Sequence, residues 1–163
     1  MDIQLLRIDD RLIHGQVVVG WVKVLEIKRL VVVNDAVAKN PMQRTLMEIA
    51  VPSGLGVSFY TVEEAAKACA LNAGSGERAL LLFSNPSDVR GYVEKGGPAT
   101  SVNVGGMHFS EGRNQVCRIV CVTPEDVVAF KDLRRRGLPL EVRAVPGDAP
   151  QKLEQFIPEI EHL

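Results

Sequence analysis

The sequence predicts an α/β protein: a single domain built on an open, mostly parallel β-sheet of about seven strands with helices on both faces. Two observations support this prediction. Short apolar runs of strand length recur along the chain, and segments with helix-start and helix-stop signals lie between them. Alternating strands and helices form right-handed βαβ units, and strands that are almost continuously apolar are covered on both faces.

The predicted strands are rich in Val, Ile and Leu. In chain order they are Ile3 to Ile8, Arg29 to Asn34, Gly56 to Tyr60, Ala79 to Ser84, Ser101 to Gly105, Arg118 to Val122 and Leu140 to Val145. The 163 residues suffice for one hydrophobic core, so residues 1–163 are predicted to form one domain. Residues 148–163 are polar, contain two prolines, and are predicted to form a C-terminal tail with room for one short helix.

Helix boundaries are clearest in two segments. Thr61 followed by Glu64 is a capping box, in which each side chain satisfies a free backbone amide of the first turn. Further along, Thr123 suits the cap of a helix from about Pro124 to Arg136, which Gly137 then stops.

Composition excludes several classes of function. Lys and Arg number 19 against 20 Asp and Glu, so no strong net field draws the chain to nucleic acid or to an anionic membrane. The apolar run from Val17 to Val22 is far shorter than the roughly 20 residues that span a bilayer, so no direct membrane insertion is expected. The three cysteines form no C-x-x-C pair and are read as reduced core residues of a cytoplasmic protein.

Polar residues cluster in the stretch "RIDDRLIHGQV", which follows the first predicted strand. A neutral imidazole at His14 can act as nucleophile or base, and the planar guanidinium of Arg11 matches phosphate oxygens. Gly15 allows close backbone approach, at the start of a predicted helix whose free amides and dipole face the same spot. Asp9 or Asp10 can orient the ring or hold Arg11. The competing interpretation is a loop histidine that one of these acids merely satisfies.

Other predicted strand ends carry further polar candidates. They are Asp35, Asn85, Gly106 and His108. Because the carboxyl ends of parallel strands share one edge of the sheet, these residues are expected on the same rim as His14. The third histidine, His162, ends the tail, and no histidine spacing suits a metal, so no metal site is predicted.

The chain has no G-x-x-x-x-G-K-[ST] phosphate loop and no glycine-rich dinucleotide fingerprint. An anionic guest on the rim is therefore not expected to be bound ATP, and no cofactor is predicted.

The motifs "RIDDRLIHGQVVVGWV", "LVVVNDAVAKNPMQRTLMEIAVPSG" and "NVGGMH" resemble the enzyme IIB subunits of the mannose/fructose/sorbose family of the bacterial phosphoenolpyruvate-dependent sugar phosphotransferase system. The resemblance extends to about Asp148. It implies a largely parallel α/β fold, in agreement with the reading from strand and helix patterns.

The resemblance also implies a phosphocarrier. His14 would accept a phosphoryl group from a phosphohistidine on a IIA protein or domain and pass it to sugar entering through the IIC and IID membrane subunits. Arg11 would hold the phosphoryl group, and Asp10 would be the supporting acid. The chain would then lie in the cytoplasm, peripherally associated with the membrane through IIC and IID. The sequence leaves open whether the chain forms a homo-oligomer.

Two alternatives share the same loop. One is a regulatory module that reports phosphorylation to a partner without sugar transport. The other is an anion-binding domain that forms no covalent adduct. A carrier that exchanges phosphate between two proteins needs its histidine on an exposed rim, since both partners must reach it in line.

Overall fold

The structure is a computed structural model that describes residues 1–15 and 17–161. Its strands are β1 Asp2–Asp9, β2 Arg29–Val33, β3 Gly56–Tyr60, β4 Arg78–Phe83, β5 Val102–Gly106, β6 Asn114–Cys117, β7 Val120–Val122, β8 Leu140–Val142 and β9 Gln151–Lys152. Its α-helices are α1 Val22–Val24, α2 Asp35–Ala38, α3 Pro41–Ile49, α4 Val62–Leu71, α5 Pro86–Glu94 and α6 Pro124–Arg135. A π-helix, Val17–Trp21, precedes α1, and 3₁₀ helices span Leu153–Gln155 and Pro158–Ile160.

The main sheet has seven strands in the order β3-β2-β4-β1-β5-β8-β9. Every pairing in it is parallel except that of β8 with β9, which is antiparallel. The predicted open and mostly parallel sheet is confirmed. β1 lies near its centre, with β4 on one side and β5 on the other, so the loop after β1 opens into the middle of the carboxyl edge.

Helices cover both faces of the sheet, as predicted. Side chains alternate along β2, where Val31 and Val33 face the core under α4, α5 and α6, while Leu30 and Val32 face the core under the π-helix, α2 and α3. Both faces of β2 are buried at these positions. Burial on both faces explains why the sequence of this strand is continuously apolar.

One predicted strand lies outside the main sheet. Arg118 to Val122 was expected to form a sixth parallel strand, but Arg118 and Ile119 form a turn and only Val120–Val122 is extended. β7 pairs antiparallel with β6, forming a hairpin that is joined to the end of β5 by an isolated bridge from Met107 to Val120. The seventh strand of the main sheet is instead β9, which lies in the predicted tail.

The described part of that tail belongs to the core. Leu153, Ile157 and Ile160 are each at most 2% exposed. An ion pair of 2.7 Å between Arg134 and Glu154 joins the tail to α6. The prediction of a polar tail with one short helix was therefore wrong, because apolar residues spaced every three or four positions bury one side of the 3₁₀ helices. His162 and Leu163 lie outside the described residues.

Both predicted helix starts are confirmed. Thr61 and Glu64 form a reciprocal capping box at α4, and Thr123 forms one with Asp126 at α6. None of the helices in the described ranges is long and apolar enough to cross a membrane.

Candidate active site

The site begins where β1 ends, and Asp9 is its centre. The Asp9 side chain is fully buried, and its oxygens accept hydrogen bonds from Arg7, Arg11 and His14. Burial by itself would raise the pKa of Asp9, but the hydrogen bonds from His14 and Arg11 outweigh it and hold the pKa well below its ordinary value. Asp9 is therefore ionised, and its carboxylate accepts hydrogen bonds but donates none.

The turn after β1 folds Arg11 back over this carboxylate. The Leu12 backbone amide donates to the Asp9 carbonyl at 2.9 Å, and Leu12 adopts a positive φ of 57° that side-chain-bearing residues rarely take. Arg11 Nε and Nη2 donate to the two Asp9 oxygens at 3.2 and 3.3 Å. The Arg11 side chain stays 42% exposed, so the guanidinium is accessible from solvent.

His14 is oriented by the same carboxylate. Its Nε2 lies 3.0 Å from Asp9 Oδ2, and since an ionised carboxylate only accepts, Nε2 carries the proton. The lone pair of the neutral ring is then on Nδ1. The side chain is 17% exposed, so the ring is held on one edge and reachable from solvent.

Arg7 supports Asp9 from inside the protein. It is fully buried and donates to Asp9 at 3.1 Å, to Asn103 Oδ1 at 2.7 Å, and to the carbonyls of Arg143 and Ala144 at 3.0 and 2.9 Å. Burial lowers the pKa of this guanidinium, and the neighbouring Asp9 carboxylate opposes that shift. Asp9 is thus fixed by one buried arginine and itself fixes one arginine and one histidine at the surface.

The indole of Trp21 packs against this network. The guanidinium carbons of Arg7 and Arg143 lie 5.4 and 5.2 Å from its ring centroid, within cation–π range. The indole N–H donates to the Ala144 carbonyl at 3.2 Å. Trp21 therefore links the helical segment after His14 to the loop after β8.

Asp10 has a different environment from the one predicted. It was expected to be the supporting acid for His14 or Arg11, but its oxygens bind the His108 ring at 2.5 Å, the His108 backbone amide at 2.7 Å and Arg113 at 3.3 Å. Neighbouring residues of an extended chain point in opposite directions, so Asp9 faces the sheet interior while Asp10 faces the loop after β5. The structure places Asp9, and not Asp10, on His14.

The other predicted rim residues divide into two groups. Gly106 is adjacent to the site, since a Cβ built there would meet the Asp9 carboxyl at 3.4 Å, and His108 reaches it through Asp10. Asp35 and Asn85 serve neighbouring helices: Asp35 accepts from the backbone amide of Val62 at the start of α4, and Asn85 caps α5.

The segment from Gly15 is helical, as predicted, but much of it is a π-helix. Gly15 has helical backbone, Val17–Trp21 form the π-helix and Val22–Val24 form α1, with the Val18 amide donating to the His14 carbonyl at 3.2 Å. A Cβ built at Gly15 meets nothing within 4 Å, so steric space does not require glycine there. Within residues 1–15 and 17–161, no three His, Cys, Asp or Glu side chains are grouped to hold a metal ion.

Sequence reasoning missed Arg7 and Asn103. These residues are adjacent partners in the β1–β5 register, each polar within an apolar strand. A charged residue in a strand buried on both faces needs a partner of opposite charge, which was the available signal. Arg143 and Trp21 had no signal of this kind, since their roles depend on long-range packing.

The fold and site define a class of protein: a parallel α/β domain that presents an oriented, partly exposed histidine beside an arginine at the centre of its carboxyl edge. The family described as PTS system sorbose subfamily IIB component matches residues 3–163. The chain belongs to this family and is a phosphotransferase component of the bacterial sugar phosphotransferase system, which confirms the resemblance drawn from its motifs.

Individual relatives of known name support the same family assignment. The chain is 42% identical over 157 residues to the PTS system fructose-specific EIIB component of Bacillus subtilis strain 168, covering 96% of each. It is 44% identical over 161 residues to the PTS system mannose-specific EIIAB component of Escherichia coli K12, covering 99% of this chain but only 50% of that protein. The IIBSor domain of the sorbose permease from Klebsiella pneumoniae superposes with a TM-score of 0.88 at 37% identity, over 98% of both chains.

Proposed function

We propose that His14 is the phosphoryl acceptor of this IIB component, with Nδ1 as the bonding atom. The observation that carries the proposal is the 3.0 Å contact between His14 Nε2 and the Asp9 carboxylate. This contact leaves the lone pair of the neutral ring on Nδ1, and nucleophilic attack needs that lone pair.

The donor on this proposal is a phosphohistidine of a IIA protein or domain. The bond between phosphorus and the donor nitrogen breaks, and its electron pair returns to the donor ring. The Nδ1 lone pair of His14 forms the new bond, and the Nε2 proton stays in place. Asp9 favours this step because its negative charge stabilises the cationic ring that carries the phosphoryl group.

Arg11 contacts the phosphoryl oxygens. Its Nε and one Nη donate to Asp9, and its other terminal nitrogen has no acceptor among residues 1–15 and 17–161. A guanidinium fixed in this way needs no reorganisation when charge develops on the transferring group. Gly15 lies beside His14 and contributes its backbone amide to the same group.

The second transfer delivers the phosphoryl group to a sugar that enters through IIC and IID subunits. The relatives support this assignment, since their names are those of fructose-, mannose- and sorbose-specific components. The mannose-specific relative is an EIIAB protein of twice this length, which supports pairing with a IIA domain. The chain would then work in the cytoplasm at the inner face of the membrane.

The test is phosphorylation by phosphoenolpyruvate with the upstream phosphotransfer proteins and IIA. We expect one acid-labile, base-stable label, mapped to His14 by mass spectrometry, and none in His14→Ala. The matched control is His108→Ala, which removes the histidine paired with the neighbouring acid and retains the label. Label that persists in His14→Ala, or maps to His108, contradicts the proposal.

A further inference from the structure

A cleft of about 330 Å³ opens beside the loop after β1. Its floor is formed by Gly105, Gly106 and Met107 at the end of β5. Its lining also includes Arg11 and Arg118, the latter in the turn of the β6–β7 hairpin. The cleft is therefore shared by the arginine already assigned to phosphate and a second arginine from a distant part of the chain.

Two arginines, Arg11 and Arg118, are among the residues that line this cleft, and no Asp or Glu is among its lining residues in the described part of the chain. The carboxylate of Asp9 already pairs with Arg11, whereas Arg118 brings a second positive charge to the same opening. A cleft lined by charges of one sign also concentrates the field on an incoming ligand of opposite charge.

Arg118 is the arginine without a described partner. The other arginines in residues 1–15 and 17–161 each make a hydrogen bond or ion pair to a described residue, whereas none is found for Arg118. Asp148 lines a neighbouring cleft that Arg118 also borders, but its carboxylate accepts from the Val145 backbone amide at 3.3 Å. Within the part of the chain that the structure describes, no residue accepts a hydrogen bond from the five side-chain N–H donors of Arg118.

The hairpin holds this arginine in place. The Met107 amide donates to the Ile119 carbonyl at 2.9 Å, and the Cys121 amide donates to the Met107 carbonyl at 2.8 Å. These bonds lie one and three residues after Arg118 and attach the hairpin backbone to Met107, directly after β5 and next to Gly105 and Gly106. The hairpin lies outside the main sheet and places Arg118, which has no hydrogen-bond partner among residues 1–15 and 17–161, at the same cleft as Arg11.

We propose that Arg118 is a further catalytic residue, which contacts the phosphoryl group while it moves between the donor nitrogen and His14 Nδ1. The inference rests on the proposed function of His14. During transfer, negative charge spreads over three equatorial oxygens of phosphorus. Nε and one Nη of Arg11 donate to Asp9, and Arg118, which lines the same cleft, supplies further N–H donors to the phosphoryl oxygens.

The test compares Arg118→Gln and Arg118→Lys with wild type in rapid-quench transfer from phosphorylated IIA, stopped in alkali and measured over a range of donor concentrations. We expect Arg118→Gln to lower the transfer rate at saturating donor about 100-fold, as for loss of one donor to a developing oxyanion. Arg118→Lys keeps the charge and recovers about a tenth of the wild-type rate, because an ammonium lacks the planar fork. The control is Arg135→Gln on α6, which also removes an exposed charge and leaves the rate unchanged.

The outcomes separate cleanly. If Arg118→Gln reaches the wild-type transfer rate at saturating donor, the assignment is overturned. This holds even if a higher donor concentration is needed to reach saturation, because Arg118 would then serve docking of the donor and not the transfer step. An equal slowing in Arg135→Gln overturns it as well, since only general charge would matter. A wild-type chain that takes no label on His14 overturns the proposed function together with this inference. Unchanged thermal unfolding of Arg118→Gln shows that the loss of rate is not a loss of fold.

Discussion

Replacing Asp9 by Asn tests the central role of this carboxylate. The amide has nearly the same shape but no charge, and it offers one acceptor oxygen where the carboxylate offers two. The side chains of Arg7, Arg11 and His14 all donate to those two oxygens. An Asn side chain must turn its NH₂ group toward at least one of these donors.

The expected magnitude follows from the burial of Arg7, which is 0% exposed. Removing one partner of a buried ion pair costs about 3–5 kcal/mol, since the other charge is left uncompensated. Arg7 keeps Asn103 and the carbonyls of Arg143 and Ala144, so we expect the lower end, about 3 kcal/mol. For a chain of this size that loss lowers Tm by about 6–12 °C.

The assay is urea unfolding, followed by far-UV circular dichroism and by the fluorescence of Trp21, the single tryptophan, which lies against the site. The matched control is Asp10→Asn. Asp10 also accepts hydrogen bonds, from His108 and from Arg113, but neither it nor these two side chains is fully buried, so we expect a smaller loss, up to about 1 kcal/mol. If Asp9→Asn also loses less than about 1 kcal/mol, the network does not depend on the charge of Asp9 and the reasoning fails.

Two further predictions concern the same network. Because the pKa of Asp9 is lowered in the folded state, its charge stabilises the fold above its unfolded pKa of about 3.9, and that contribution is lost as the pH falls below this value. The stability difference between wild type and Asp9→Asn should therefore be constant from neutral pH to about pH 5 and shrink toward pH 3 in urea titrations; a difference that grows with acid would contradict this sign. Separately, a Cβ at Gly105 would overlap the Arg7 guanidinium, so Gly105→Ala should lose about 1–3 kcal/mol and slow labelling of His14. Gly147→Ala, where nothing lies within 4 Å, is the control and should change stability by less than about 0.5 kcal/mol; equal effects would show that Arg7 is not tightly packed.

The strand and helix patterns predicted the main sheet well because local signals were strong. The five strands before Met107 match the predicted runs within about two residues, a normal boundary error. The capped helices begin where Thr61 and Thr123 indicated. The region after Met107 was predicted less well, since whether a short apolar run joins the main sheet or forms a separate hairpin depends on what pairs with it.

The amino-acid sequence alone determined the fold class, the family, and the loop that carries Arg11, His14 and their acids, because these depend on residue types at short spacing. Only the tertiary structure decided which acid orients the ring. Asp9 and Asp10 are equivalent in composition, and strand geometry turns one inward to Arg7 and the other outward to His108. The partners of Asp9 lie within five residues of it, but those of Asp10 are His108 and Arg113, about a hundred residues further along the chain, so the local sequence did not show which acid was already paired elsewhere.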